Sequence, residues 1–154
     1  MKQRKLLFLI SIMVLGIVAC SKDETHPFDT RFIHIMENDA SAVTVSDKAS
    51  AVGTYNVYLS SRQFFDTVVV TYKITPGNGL VEGVDYTLLN TGNELRFLPG
   101  IYDMPIRIKW MPNPVDASRN NTLTIELVGN NKGIHLGLPG PDAKQKIFTI
   151  TKNP

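Results

Sequence analysis

Gly92-Asn93-Glu94-Leu95-Arg96-Phe97-Leu98-Pro99-Gly100, followed shortly by Ile106-Arg107-Ile108-Lys109-Trp110, decides the fold of this 154-residue chain. Leu95 and Phe97 alternate with Glu94 and Arg96, and Ile106, Ile108 and Trp110 alternate with Arg107 and Lys109. A period of two places one apolar and one polar face on each strand, as in an antiparallel sheet wet on one side. Between the two runs, proline presets φ at the second position of a turn, and glycine supplies the positive φ that a type II turn needs at the third. Pro105 falls early in the second run, where a missing N–H is tolerated at a strand start or an edge.

Outward from this pair the same alternation repeats. Phe32, Ile33 and Ile35 give a first strand, and Val43 and Val45 a short second one. Further strands are read at Tyr55–Ser60, Val68–Thr75, Leu123–Leu127 and about Lys146–Thr151. Turn signals separate them: Pro76-Gly77-Asn78-Gly79, Pro112-Asn113-Pro114 and Gly129-Asn130-Asn131-Lys132-Gly133. No stretch sustains apolar spacing of three and four residues. Short alternating strands at this spacing predict an all-β, immunoglobulin-like antiparallel sandwich over residues 31–154. Its core is expected to hold Tyr86, Leu95, Phe97, Ile106, Ile108, Trp110, Leu123, Ile125 and Leu127.

The N-terminal region reads differently. Lys2, Arg4 and Lys5 precede an apolar run from Leu6 to Ala19, a secretory-signal layout too short for a comfortable membrane span. Cys20 is the only cysteine, which excludes a disulfide framework and a thiolate metal site. Residues 20–30 are polar, contain Pro27 and read as a tether. The whole chain carries 16 basic and 14 acidic residues; removing Lys2, Arg4 and Lys5 leaves 13 against 14. No basic field remains to favour nucleic acid.

Two resemblances add to this reading. Ile17-Val18-Ala19-Cys20 resembles a bacterial lipobox, which implies a signal peptide over residues 1–19 and a diacylated Cys20. Two or more acyl chains hold firmly where one binds reversibly. Ser21-Lys22-Asp23-Glu24 resembles the export signal of Bacteroidota surface lipoproteins, an acidic patch beside the lipidated cysteine. It implies an outer-membrane protein facing the exterior, among proteins often engaged in glycan uptake.

Glu82-Gly83-Val84-Asp85-Tyr86, the Gly92–Gly100 stretch, Ile106–Trp110, Leu123–Leu127 and Ile147–Thr151 are similar to the Calx-beta pattern. The resemblance covers roughly Tyr55 to Thr151 and implies a Greek-key sandwich. The family's calcium chemistry uses acidic loops at one end of the sandwich, because hard cations want several carboxylate and carbonyl oxygens together. Here the corresponding stretches are Met111-Pro112-Asn113-Pro114-Val115-Asp116 and Thr151-Lys152-Asn153-Pro154, and only Glu37 and Asp39 resemble part of the first-strand cluster. Prolines and a lysine stand where oxygen ligands belong, so the fold is expected to be kept and calcium binding lost, with no metal site.

Nothing in the chain points to catalysis. The three histidines are scattered, with no paired-ligand spacing. His34, between Ile33 and Ile35, reads as a partly exposed sheet residue. No serine sits in Gly-x-Ser-x-Gly. The carboxylates are dispersed, and Asp85 reads as serving a turn before Tyr86. Gly137-Leu138-Pro139-Gly140-Pro141 lacks the lysine and helix of a phosphate cradle and reads as a hairpin-type connection. Trp110 shares parity with Ile106 and Ile108 and reads as core.

The candidate ligand contacts are Tyr58, on the polar side of its strand, and Phe64 and Phe65, adjacent aromatics that cannot easily both point inward. Exposed aromatics stack on sugars or anchor proteins. Asp66-Thr67-Val68 resembles a bacterial O-glycosylation acceptor. The expected function is a surface-exposed, non-catalytic lipoprotein that binds a glycan or a protein. A structural or spacer lipoprotein is the alternative, and a calcium-binding adhesion module a weaker one.

Overall fold

The computed structural model describes residues 30–154, so the apolar leader, Cys20 and Ser21–Glu24 lie outside the described residues. The described chain forms ten strands: β1 (Phe32–Met36), β2 (Ala42–Ser46), β3 (Val52–Ser60), β4 (Val68–Pro76), β5 (Tyr86–Leu88), β6 (Glu94–Phe97), β7 (Asp103–Trp110), β8 (Thr122–Asn130), β9 (His135–Leu136) and β10 (Ile147–Asn153). One sheet has the order β5-β7-β3-β1-β9 and the other β2-β10-β8-β4-β6. Their inner faces close one core, an immunoglobulin-like β-sandwich.

Alternation produces this packing directly. Ile106, Ile108 and Trp110 of β7 face inward, as do Leu123, Ile125 and Leu127 of β8 from the opposite sheet, each no more than 1% exposed. Tyr86, Leu95 and Phe97 join them. Trp110 Nε1 donates to the Tyr55 hydroxyl at 2.9 Å, which satisfies both buried polar tips. Burial pushes the Tyr55 hydroxyl pKa up to about 12, against the opposing effect of the Trp110 hydrogen bond.

Leu98–Ile101 forms the expected turn: the Ile101 N–H donates to the Leu98 carbonyl, and Gly100 has φ of 86°. Pro105 lies inside the strand order but beyond the end of β5, whose pairing with β7 stops at Leu88↔Ile108. There Asn90 substitutes for a strand, donating to the Pro105 carbonyl and accepting from the Arg107 N–H. No ladder bond is lost to the proline.

Three expectations change. The sheets are not wholly antiparallel: β1 pairs with β9, and β2 with β10, in parallel. These edge strands are reached through connections that cross between sheets. For the same reason Gly137–Pro141 is not a hairpin loop, because it joins β9 of one sheet to β10 of the other. His34 is not partly exposed but buried at 8%, covered by flanking rings.

Candidate functional site

Register places the sequence-derived contact residues in two regions. In β1 and β3 the side chains of Ile33, Ile35, Val57 and Leu59 take the inward positions. The alternate positions therefore face out, with Phe32 opposite Ser60, His34 opposite Tyr58 and Met36 opposite Asn56. The rings form a continuous row. Phe32 and His34 are tilted with centroids 5.2 Å apart, and His34 and Tyr58 are stacked at 5.4 Å.

Polar groups border the row. Asn56 Nδ2 lies 3.5 Å from the Tyr58 hydroxyl, Asp103 is opposite Tyr58 on β7, and His135 is opposite Phe32 on β9. Burial lowers the pKa of His34, which favours the neutral imidazole, and its Nδ1 has no partner among the described residues. The arrangement offers an aromatic surface with hydrogen-bonding groups at its rim.

Phe64 and Phe65 lie instead in the β3–β4 connection at one pole of the sandwich. Phe64 is half-buried against the core, edge-on to Tyr102 with centroids 5.3 Å apart. Phe65 is 78% exposed. Arg31, Phe64, Phe65, Asp66 and Lys132 line a shallow groove of about 230 Å³. Lys132 Nζ pairs with Asp66 at 2.9 Å, and Thr67 sits half-buried at the start of β4. Tyr58 is thus on a sheet face, while the two phenylalanines are on a loop.

The opposite pole holds a group that motif reading missed. Lys152 continues the inward parity of Phe148 and Ile150 along β10 and is fully buried. Its ammonium lies 2.9 Å from Asp85 Oδ1 and 3.0 Å from the Met111 carbonyl oxygen. Asn113 Nδ2 donates to Asp85 Oδ1, and the Val81 N–H donates to Oδ2, so Asp85 does hold the turn before Tyr86. Burial opposes ionisation of the Asp85 carboxyl. The hydrogen bonds from Asn113, Lys152 and Val81, with the Lys152 charge, outweigh it and hold the pKa below the usual carboxylate range.

This ion pair bears on calcium. The stretches that resemble the family's calcium-binding loops supply Met111, Asn113 and Lys152 here, and an ammonium already lies against the oxygens a cation would need. Asp47 is buried at the same pole, where its N–H donates to the Asn153 carbonyl and its own carbonyl accepts from the Asn113 N–H. Among the described residues no group of three or more His, Cys, Asp or Glu side chains could hold a metal ion. The residues present do not fit calcium. Because a ligand selective for the folded state raises its stability, the expected outcome is that millimolar calcium leaves the melting temperature of residues 21–154 unmoved. An upward shift of several degrees, reversed by a chelator, contradicts this.

No family model matches the chain, and no curated protein matches it in sequence. Among solved structures, the chain is similar to the crystal structure of CBD12 from CALX1.2, with a TM-score of 0.58 and 18% identity. The match covers 79% of this chain and 44% of that one, so the chain spans less than half the length of the protein it resembles. At this identity the likeness concerns the fold alone, and the fold is a Calx-beta-like β-sandwich.

Proposed function

We propose that this protein is a lipid-anchored, surface-exposed binding module without catalytic activity, and that the outer face of β1 and β3 receives a glycan. The observation that carries the reading is the Phe32–His34–Tyr58 row. The outer face of a sheet ordinarily carries polar residues, yet here it carries the half-buried rings of Phe32 and Tyr58 against His34, with Asn56 and Asp103 beside them. Aromatic faces stack on the C–H faces of sugar rings, and a polar rim supplies the hydrogen bonds that orient hydroxyls.

The anchor belongs to the same proposal. Cys20 follows a charged-then-apolar leader, and Ser21–Glu24 supply the acidic patch that directs export to the outer face of the outer membrane. Phe65 lies at a different place on the surface, outside this row. A spacer without a ligand remains the competing account, and the aromatic row is the feature it does not explain.

The test is retention of residues 21–154 in native gels cast with soluble polysaccharides. The wild-type domain should be retarded by at least one polysaccharide, Tyr58→Ala should run freely, and Tyr58→Phe should keep the retardation because the ring is kept. If no polysaccharide slows the wild-type domain, or Tyr58→Ala is slowed equally, the aromatic row is not a glycan site.

A further inference from the structure

One pole of the sandwich gathers exposed apolar side chains that neither the core nor the aromatic row uses. Phe65 is 78% exposed, Leu98 56% and Ile101 42%. They come from two connections that register brings together. Val68 pairs with Phe97, so Leu98 leaves β6 beside the entry to β4. Phe64 meets Tyr102 edge-on, and the Leu59 N–H donates to the Tyr102 carbonyl, which ties the β3–β4 connection to the β6–β7 connection. Basic residues at this pole include Arg31, Arg62 and Lys132, and Lys132 pairs with Asp66.

This is also the pole at which the chain enters the domain. Phe32 opens β1 opposite Ser60, the last residue of β3, so Arg31 lies beside the start of the β3–β4 connection and lines the same groove as Phe65. Only residues 21–30 separate Arg31 from Cys20. Fully extended, such a segment reaches at most about 40 Å. Val81 and Val84, another exposed apolar pair, lie in the β4–β5 connection by Asp85, at the far pole.

We propose that the pole carrying Phe65, Leu98 and Ile101 rests against the lipid surface that holds Cys20. The proposal rests on the anchored reading above and adds an orientation to it. Apolar tips flanked by arginine and lysine suit a bilayer interface, where rings and aliphatic chains enter the acyl boundary and cations stay with the headgroups. A short tether holds the pole near the surface at millimolar effective concentration, so a contact too weak to recruit the free domain is still populated. The aromatic row then runs up the side of the domain from this pole, with Phe32 nearest the membrane and His34 and Tyr58 farther along β1 and β3.

Because Cys20 is the only cysteine, residues 20–154 can be coupled through it to a maleimide lipid in phosphatidylcholine vesicles, whatever the cell does to that residue. Phe65→Trp adds an indole at the tip, while the native Trp110 is 1% exposed and serves as the buried background. On vesicles with brominated acyl chains, the introduced indole should shift to the blue and lose emission relative to ordinary chains. The wild-type signal should not change. Adding Leu98→Asp and Ile101→Asp should abolish the quenching.

An introduced indole that emits identically on brominated and ordinary vesicles overturns the proposal and leaves this pole as a surface for a soluble partner. The anchored reading fails by a separate result: full-length wild-type protein recovered in the soluble fraction of cells.

Discussion

Lys152→Ala is expected to destabilise the domain by about 3–5 kcal/mol, the usual cost of leaving one member of a buried ion pair without its partner. The Lys152 and Asp85 side chains are 0% and 3% exposed, so water cannot replace the missing ammonium. The Met111 carbonyl would also lose its donor. A double variant, Lys152→Met with Asp85→Asn, is expected to recover much of the loss, because it removes both charges while keeping an oxygen to accept from the Val81 N–H. Denaturant unfolding of the wild type, Lys152→Met, Asp85→Asn and the double variant measures the coupling. Additive losses would show that the two charges do not stabilise each other.

The same pair sets an acid limit. The carboxyl of Asp85 is held below its usual range in the folded state. Its contribution is therefore present above the unfolded pKa of about 3.9 and is lost as pH falls through the folded value. In Lys152→Met with Asp85→Asn that part of the acid dependence should vanish.

The second large effect is in the core. Leu95 is 2% exposed on β6, inward with Phe97, and Val70 of β4 is its ladder partner. Leu95→Ala removes buried methyl groups and leaves a cavity that the surrounding strands fill only partly, at a cost of about 2–5 kcal/mol. Arg96→Ala, on the outward parity of the same strand, is the control. Its ion pair with Glu94 is 3.4 Å long and exposed, so little should change. A Leu95→Ala melting curve equal to the wild type would mean that the two faces of the strand are reversed.

Most of the architecture was legible because alternation with a period of two states which side of a strand faces the core. The inward positions of Phe97, Trp110 and Ile125 needed nothing more. Strands β5 and β9 escaped because three and two residues cannot display a period. The parallel edges escaped because alternation fixes faces and not strand direction.

The Lys152–Asp85 pair was half legible. Lys152 continues the parity of Phe148 and Ile150, and a lysine in an inward position demands a buried anion. What the sequence could not identify was the anion, 67 residues away. The aromatic row was missed for a similar reason: Tyr58 was visible on a polar face, but its stacking on His34 depends on the register of β1 against β3.

Whether Cys20 and the acidic residues after it hold this domain on the outside of the cell is tested most directly by protease treatment of intact cells. Membrane-associated wild-type protein should be digested while a periplasmic marker survives, and replacing Lys22, Asp23 and Glu24 with alanine should leave the protein membrane-bound but protected. Wild-type protein that resists protease in intact cells, yet is digested in a lysate, would contradict surface display and place the domain inside the outer membrane.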